Sequence, residues 1–150
     1  MSMVEKKITP SLEDYLESIL MLIENRKEPR TKDIAEILGV KAPSVVEAVS
    51  NLEKSGYIIH KKYGRIELTE KGYEAARNVY ERHILLKKFF KDVLCLDSET
   101  SENDACKIEH FLSEKTVERI VNFVDFVEKN PDEHNNWKKY LRGINQNERK

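Results

Sequence analysis

Three side chains able to ligate a metal stand together in the stretch DACKIEHFLS: Cys106, Glu109 and His110. On a helix they fall at i, i+3 and i+4 and share one face. Asp14 and Glu17 repeat the i, i+3 relation near the start of the chain, and His83 stands between Tyr80 and Leu86. A thiolate, imidazoles and carboxylates aimed at one point make a divalent metal site, and helices supply such donors at this spacing. Each group also has an ordinary reading. A Glu-His pair is commonly solvated surface, and first-turn carboxylates complement a helix dipole. A lone histidine can hydrogen-bond within a core, and a cysteine is often a small buried hydrophobe. Cys95, between Val93-Leu94 and Leu96, is expected to be of that last kind.

The elements that must hold these residues follow from periodicity. TPSLEDYLESILMLIEN opens with Thr9, Pro10 and Ser11 and repeats apolar residues at helical spacing from Leu12 to Ile23. RTKDIAEILGV predicts a short helix capped by Thr31 and ended at Gly39. APSVVEAVSNLEKSGY predicts another, with Pro43 in its first turn and Val45, Val46, Val49 and Leu52 as its buried stripe. The period then changes. YIIHKK and RIELT read as two short strands joined at Tyr63-Gly64. Helix, short glycine-containing turn, helix and hairpin is the winged helix-turn-helix order. A long helix follows from Thr69, then helices near 102–112, 114–128 and 132–142. The fold class is therefore mainly α. A boundary near residue 75 separates a winged helix-turn-helix DNA-binding domain, residues 1–75, from a helical domain, residues 76–150.

Charge supports this division. The net charge is −1, but residues 26–77 hold eleven Lys and Arg against eight Asp and Glu, the only net-basic third. No apolar run is long enough to span a bilayer, and two cysteines make no disulfide framework. No leader pattern opens the chain, so a cytoplasmic protein without membrane contact is expected.

TPSLEDYLESI, DIAEILGVKAPSVVEAVSNLEKSGYI, LTEKGYEAARNVYERHILL and CKIEHFLS together resemble the diphtheria toxin repressor family, over about residues 8–128. Among its members, the chain is similar to the short manganese transport regulators that lack an SH3-like domain. The resemblance implies a homodimeric repressor of metal-uptake genes, binding a palindromic operator when loaded with Fe²⁺ or Mn²⁺. It implies no enzymatic activity and no small-molecule substrate. The implied ligands are Asp14, Glu17, His83, Cys106, Glu109 and His110. The implied DNA contacts are Lys41, Ala42, Pro43, Ser44 and Glu47 on the recognition helix, with Thr31, Lys61, Lys62 and Arg65 toward phosphates.

The chain departs from the family pattern at the site itself. The manganese regulators place glutamate where Cys106 stands; the iron-responsive branch places cysteine there, but has methionine near the position of Asp14. That branch's additional site uses a carboxylate four residues after the long-helix histidine, where this chain has Lys87, so that version is expected to be absent. Thiolate favours softer ions than oxygen does, which keeps Fe²⁺ and Mn²⁺ level, with Co²⁺, Ni²⁺ or Zn²⁺ behind them. The alternative is a metal-independent winged-helix regulator that senses an organic ligand or oxidation of Cys106. A metallohydrolase and a purely structural dimerisation module rank below it.

Overall fold

A computed structural model describes residues 8–147, in two compact units whose division falls at Glu81–Arg82, inside one helix.

The first unit begins with helix α1 (Pro10–Glu24). Thr9 caps it, its side-chain oxygen accepting the Leu12 amide at 3.3 Å, and Pro10 starts it with a pre-set φ. Helix α2 (Thr31–Leu38) stops where Gly39 turns left-handed at φ 64°. Helix α3 (Ala42–Lys54) follows a short turn, and Gly56 at φ 80° ends that segment. Strands β1 (Ile58–His60) and β2 (Ile66–Leu68) pair antiparallel, with His60 opposite Ile66. The tip of this wing is a 3₁₀ turn over Lys62–Gly64, in which Tyr63 takes φ 64°. Leu16, Ile19, Ile34, Val45, Leu52 and Ile66 are completely buried in one core. Each contributes roughly 1.5–3 kcal/mol by leaving water.

A third segment borders the wing. Arg30 forms an isolated bridge with Arg65, and the Ile66 amide donates to Pro29 O at 3.0 Å. The loop after α1 is thereby hydrogen-bonded to β2. This overrides the expected Thr31 cap: Arg30 occupies the cap position in extended conformation, and Thr31 is the first helical residue. Val46 also departs from the expected buried stripe, being 58% exposed. It lies next to Val45 but about 100° round the helix, on the side of α3 that faces solvent with Pro43 and Glu47.

Helix α4 (Glu70–Lys88) carries the chain from the first unit into the second. In the second unit a π-helical turn over Phe89–Val93 replaces the last part of the single long helix expected from sequence. Helix α5 (Ser98–Ile108) is capped by Asp97, α6 (Glu114–Lys129) by Ser113, and α7 spans Pro131–Asn147. Val93, Val124 and Val127 form the core here, with Leu85, Phe89 and Ile120 packed on it. The Trp137 indole N–H donates to Val93 O, fixing α7 to the π-turn. Cys95 is exposed at φ 58°, a correction to its expected burial: the chain turns sharply after Val93 and carries the thiol outward. No described helix is long and apolar enough to cross a membrane.

Candidate metal centre and nucleic-acid interface

Four of the six expected ligands belong to the second unit, where the structure gathers them around His83. Its imidazole is 7% exposed and lies between two carboxylates. Nδ1 is 2.8 Å from Glu109 Oε2, and Nε2 is 2.9 Å from Glu102 Oε1. Helix α5 supplies Glu102 and Cys106 one turn apart, then ends, so the helix expected over 102–112 is instead 98–108. Glu109 is its C-cap, still of helical backbone with its amide bonded to Ala105 O, and His110 lies in the following turn. The shared face therefore survives only partly as a helix face. Cys106 is solvent-exposed, and neither cysteine is in a disulfide.

Glu102 is the residue that sequence reading missed. It stands four residues before Cys106, a spacing that marks it as a neighbour on the same helical face. His83, Glu102 and Cys106 bring one ligand atom each within 4.8 Å of one another. Lys87, one turn after His83, places Nζ 2.8 Å from Glu102 Oε2. This ammonium, with a smaller contribution from the charge of His83, holds the Glu102 carboxyl below its ordinary range.

Asp14 and Glu17 belong to the first unit, one turn apart on α1 and each partly buried. Also in that unit, α3 presents Lys41, Ala42, Pro43, Ser44, Val46 and Glu47 to solvent. Thr31 is partly buried at the start of α2. Lys61, Lys62 and Arg65 are exposed on the wing, but two of them are already ion-paired. Glu67 lies 3.7 Å from Lys61 and 3.2 Å from Arg65, and Glu28 lies 3.5 Å from Arg65. Tyr63, at the wing tip, is 92% exposed.

Comparison with known proteins decides what these parts belong to. Residues 7–66 match the iron-dependent repressor N-terminal DNA-binding domain, and 69–138 match that family's metal-binding and dimerisation domain. The chain belongs to the iron-dependent repressor family.

Similar proteins include an HTH-type transcriptional regulator MntR of Lysinibacillus sphaericus, 41% identical over 83% of this chain and 88% of its own. The MntR of Bacillus subtilis is 42% identical over 80% of this chain and 84% of its own. An uncharacterised HTH-type regulator of Methanocaldococcus jannaschii is 37% identical over 79% and 95%. Among solved structures, the manganese regulator SloR superposes with a TM-score of 0.71 at 33% identity, covering 79% of this chain. The chain covers 55% of the length of the SloR structure. The family assignment makes it a DNA-binding, dimerising transcriptional regulator.

The donors of the second unit fit a divalent transition metal. Glu109 is 1% exposed, and its Oε1 lies 3.3 Å from His110 Nε2 yet makes no hydrogen bond among the described residues. A buried carboxylate oxygen without a hydrogen bond is costly, and a cation beside it removes that cost. Imidazole, thiolate and carboxylate together suit Fe²⁺, Co²⁺ or Zn²⁺, while the carboxylates also suit Mn²⁺.

Proposed function

We propose that this iron-dependent repressor is a homodimeric, metal-activated repressor of metal-uptake genes. It acts in the cytoplasm and binds a palindromic operator when loaded with Fe²⁺ or Mn²⁺. Residues 1–75 read DNA, while 76–150 bind metal and pair the subunits. The observation carrying this reading is buried Glu109, held against His83 with one oxygen lacking a hydrogen bond among the described residues. The names of the similar proteins point the same way: MntR regulators, and a manganese-dependent repressor solved with manganese at 30% identity and a TM-score of 0.71.

Asp14, Glu17, His83, Cys106, Glu109 and His110 are the proposed ligands. Bound metal supplies a double positive charge that offsets clustered carboxylates. The protein's part is to hold the donors in place. Glu102 orients the His83 ring through Nε2, as outer carboxylates orient ligating histidines elsewhere, and leaves Nδ1 and Glu109 side by side as donors. The dimer interface is the exposed apolar surface of the second unit, where Phe111 is 75% exposed and Phe126 49%.

On the DNA side, Lys41, Ala42, Pro43, Ser44 and Glu47 lie at base edges, with Thr31, Lys61, Lys62 and Arg65 at phosphates. Val46 joins them, its exposed methyls suited to a thymine methyl.

The test is to strip the protein with chelator and titrate Mn²⁺, Fe²⁺, Co²⁺ and Zn²⁺ anaerobically under reducing conditions. A randomised duplex pool is then selected with and without each ion. Enrichment of inverted repeats only with metal, lost in Glu109→Gln, is the expected result. Equal DNA retention with and without every ion would overturn the reading. Cys106→Glu is expected to move preference toward Mn²⁺.

A further inference from the structure

Lys87 and Glu102 have no part in the ligand set proposed above, yet they complete the geometry around His83. Glu102 divides its two oxygens between cationic or proton-bearing partners: Oε1 faces His83 Nε2 at 2.9 Å and Oε2 faces Lys87 Nζ at 2.8 Å. Cys106 lies one turn further along α5, and one ligand atom each from His83, Glu102 and Cys106 fall within 4.8 Å. Imidazole, carboxylate and thiol at this separation are three of the four donors of a tetrahedral site. An ammonium is a compact point charge with three donors, and here it touches the carboxylate such a site would use. It sits on α4 one turn after His83, so it cannot diffuse away as a solvent cation does. A divalent ion entering beside Glu102 meets both a competitor for that carboxylate and a like charge at close range.

We propose that the Lys87 ammonium is a tethered cation standing in for a second metal ion beside His83, Glu102 and Cys106, so that each subunit binds one metal. The proposal rests on the metal-binding reading given above. Lys87 is thus a positioning residue that sets stoichiometry. It holds Glu102, and through it His83 Nε2, in place while excluding another divalent ion. Lys87 is 40% exposed on its side chain, so replacing it leaves the core intact.

The experiment is anaerobic Co²⁺ titration of chelator-stripped full chain, comparing wild type, Lys87→Glu, Lys87→Gln and Lys87→Glu with Glu102→Gln. Calorimetry gives the stoichiometry, and cobalt–thiolate absorption reports Cys106. Circular dichroism and melting confirm folding of each variant. Wild type is expected to bind one Co²⁺ per subunit and Lys87→Glu two, the second lost again in the double variant. Lys87→Gln is expected to gain a second site at least tenfold weaker than that of Lys87→Glu. Two Co²⁺ in wild type would overturn the role of Lys87 while leaving the metal-activated reading standing. So would one Co²⁺ in both folded Lys87 variants. Should wild type bind none, the metal-activated reading itself fails, and this inference with it.

Discussion

Gly72→Ala is expected to destabilise the DNA-reading unit although it replaces glycine inside a helix. A Cβ at position 72 would lie 1.8 Å from Tyr57 O and 2.8 Å from its carbonyl carbon. That oxygen already accepts the Thr69 amide at 3.0 Å, while Thr69 Oγ1 donates to Gly56 O at 2.6 Å and accepts the Gly72 amide at 3.0 Å. The start of α4 is thus clamped on the backbone where α3 gives way to β1. Real Cβ contacts stay beyond 3.0 Å, so the helix must retreat by more than 1 Å. Overpacking of this kind costs about 1–3 kcal/mol. Stretching the Thr69–Tyr57 bond adds roughly 0.5–1.5 kcal/mol. Alanine's helix propensity returns at most about 1 kcal/mol. The balance is about 2 kcal/mol of lost stability, and a melting temperature lower by roughly 10 °C. Gly143, in α7 with nothing within 4 Å of its would-be Cβ, is the control. There alanine is expected to stabilise by up to about 1 kcal/mol. Thermal and urea unfolding of chelator-stripped protein at one fixed concentration compares the two. If Gly72→Ala unfolds no earlier than wild type, the close-approach argument is wrong.

Three further outcomes are expected. Val46→Ala should leave unfolding within about 0.5 kcal/mol of wild type, yet weaken binding to the selected operator several-fold by anisotropy; unchanged affinity would place Val46 away from DNA. Glu67→Gln should release Lys61 toward phosphate and leave Arg65 held by Glu28 alone, tightening binding to non-specific duplex and steepening log K against log salt by about one unit. An unaltered slope would mean those cations never reach the backbone. Asp97, capping α5 through the Thr100 hydroxyl and then its amide, holds its carboxyl below the ordinary value of 3.8. Its contribution is present above the unfolded value and fades as pH falls through the lower folded one. Carbon-detected NMR should find the Asp97 midpoint below 3.8 and see it rise in Thr100→Val.

Much of the architecture was legible because local and global signals agree. Thr9-Pro10, Gly39 and Gly56 mark segment ends by backbone chemistry that needs no tertiary information. Thr31 was misread because a tertiary bond won: the strand-like pairing of Arg30 with Arg65 fixes the cap residue one position earlier. Val46 and Val45 are chemically alike, and only the fold chooses which of two neighbours faces inward. Around His83, donor type and spacing singled out Cys106, Glu109 and His110, and the structure places all four residues in the second unit. Glu102 was not singled out, because acidic residues are common on helix surfaces and its significance appears only when α4 brings His83 and Lys87 beside it. The ion pairs of the wing were equally hidden, since Glu28 is distant in sequence from Arg65.

The bridge between the loop after α1 and strand β2 has a mechanical consequence. Hydrogen bonding of Pro29 and Arg30 to Ile66 and Arg65 leaves no slack between the end of α1 and the wing. The buried side chains of α1 and α3 share one core, so that helix cannot slide beneath the recognition helix either. A load on α1 is therefore shared by wing and recognition helix, tied to it by backbone bonds on one side and by a common core on the other.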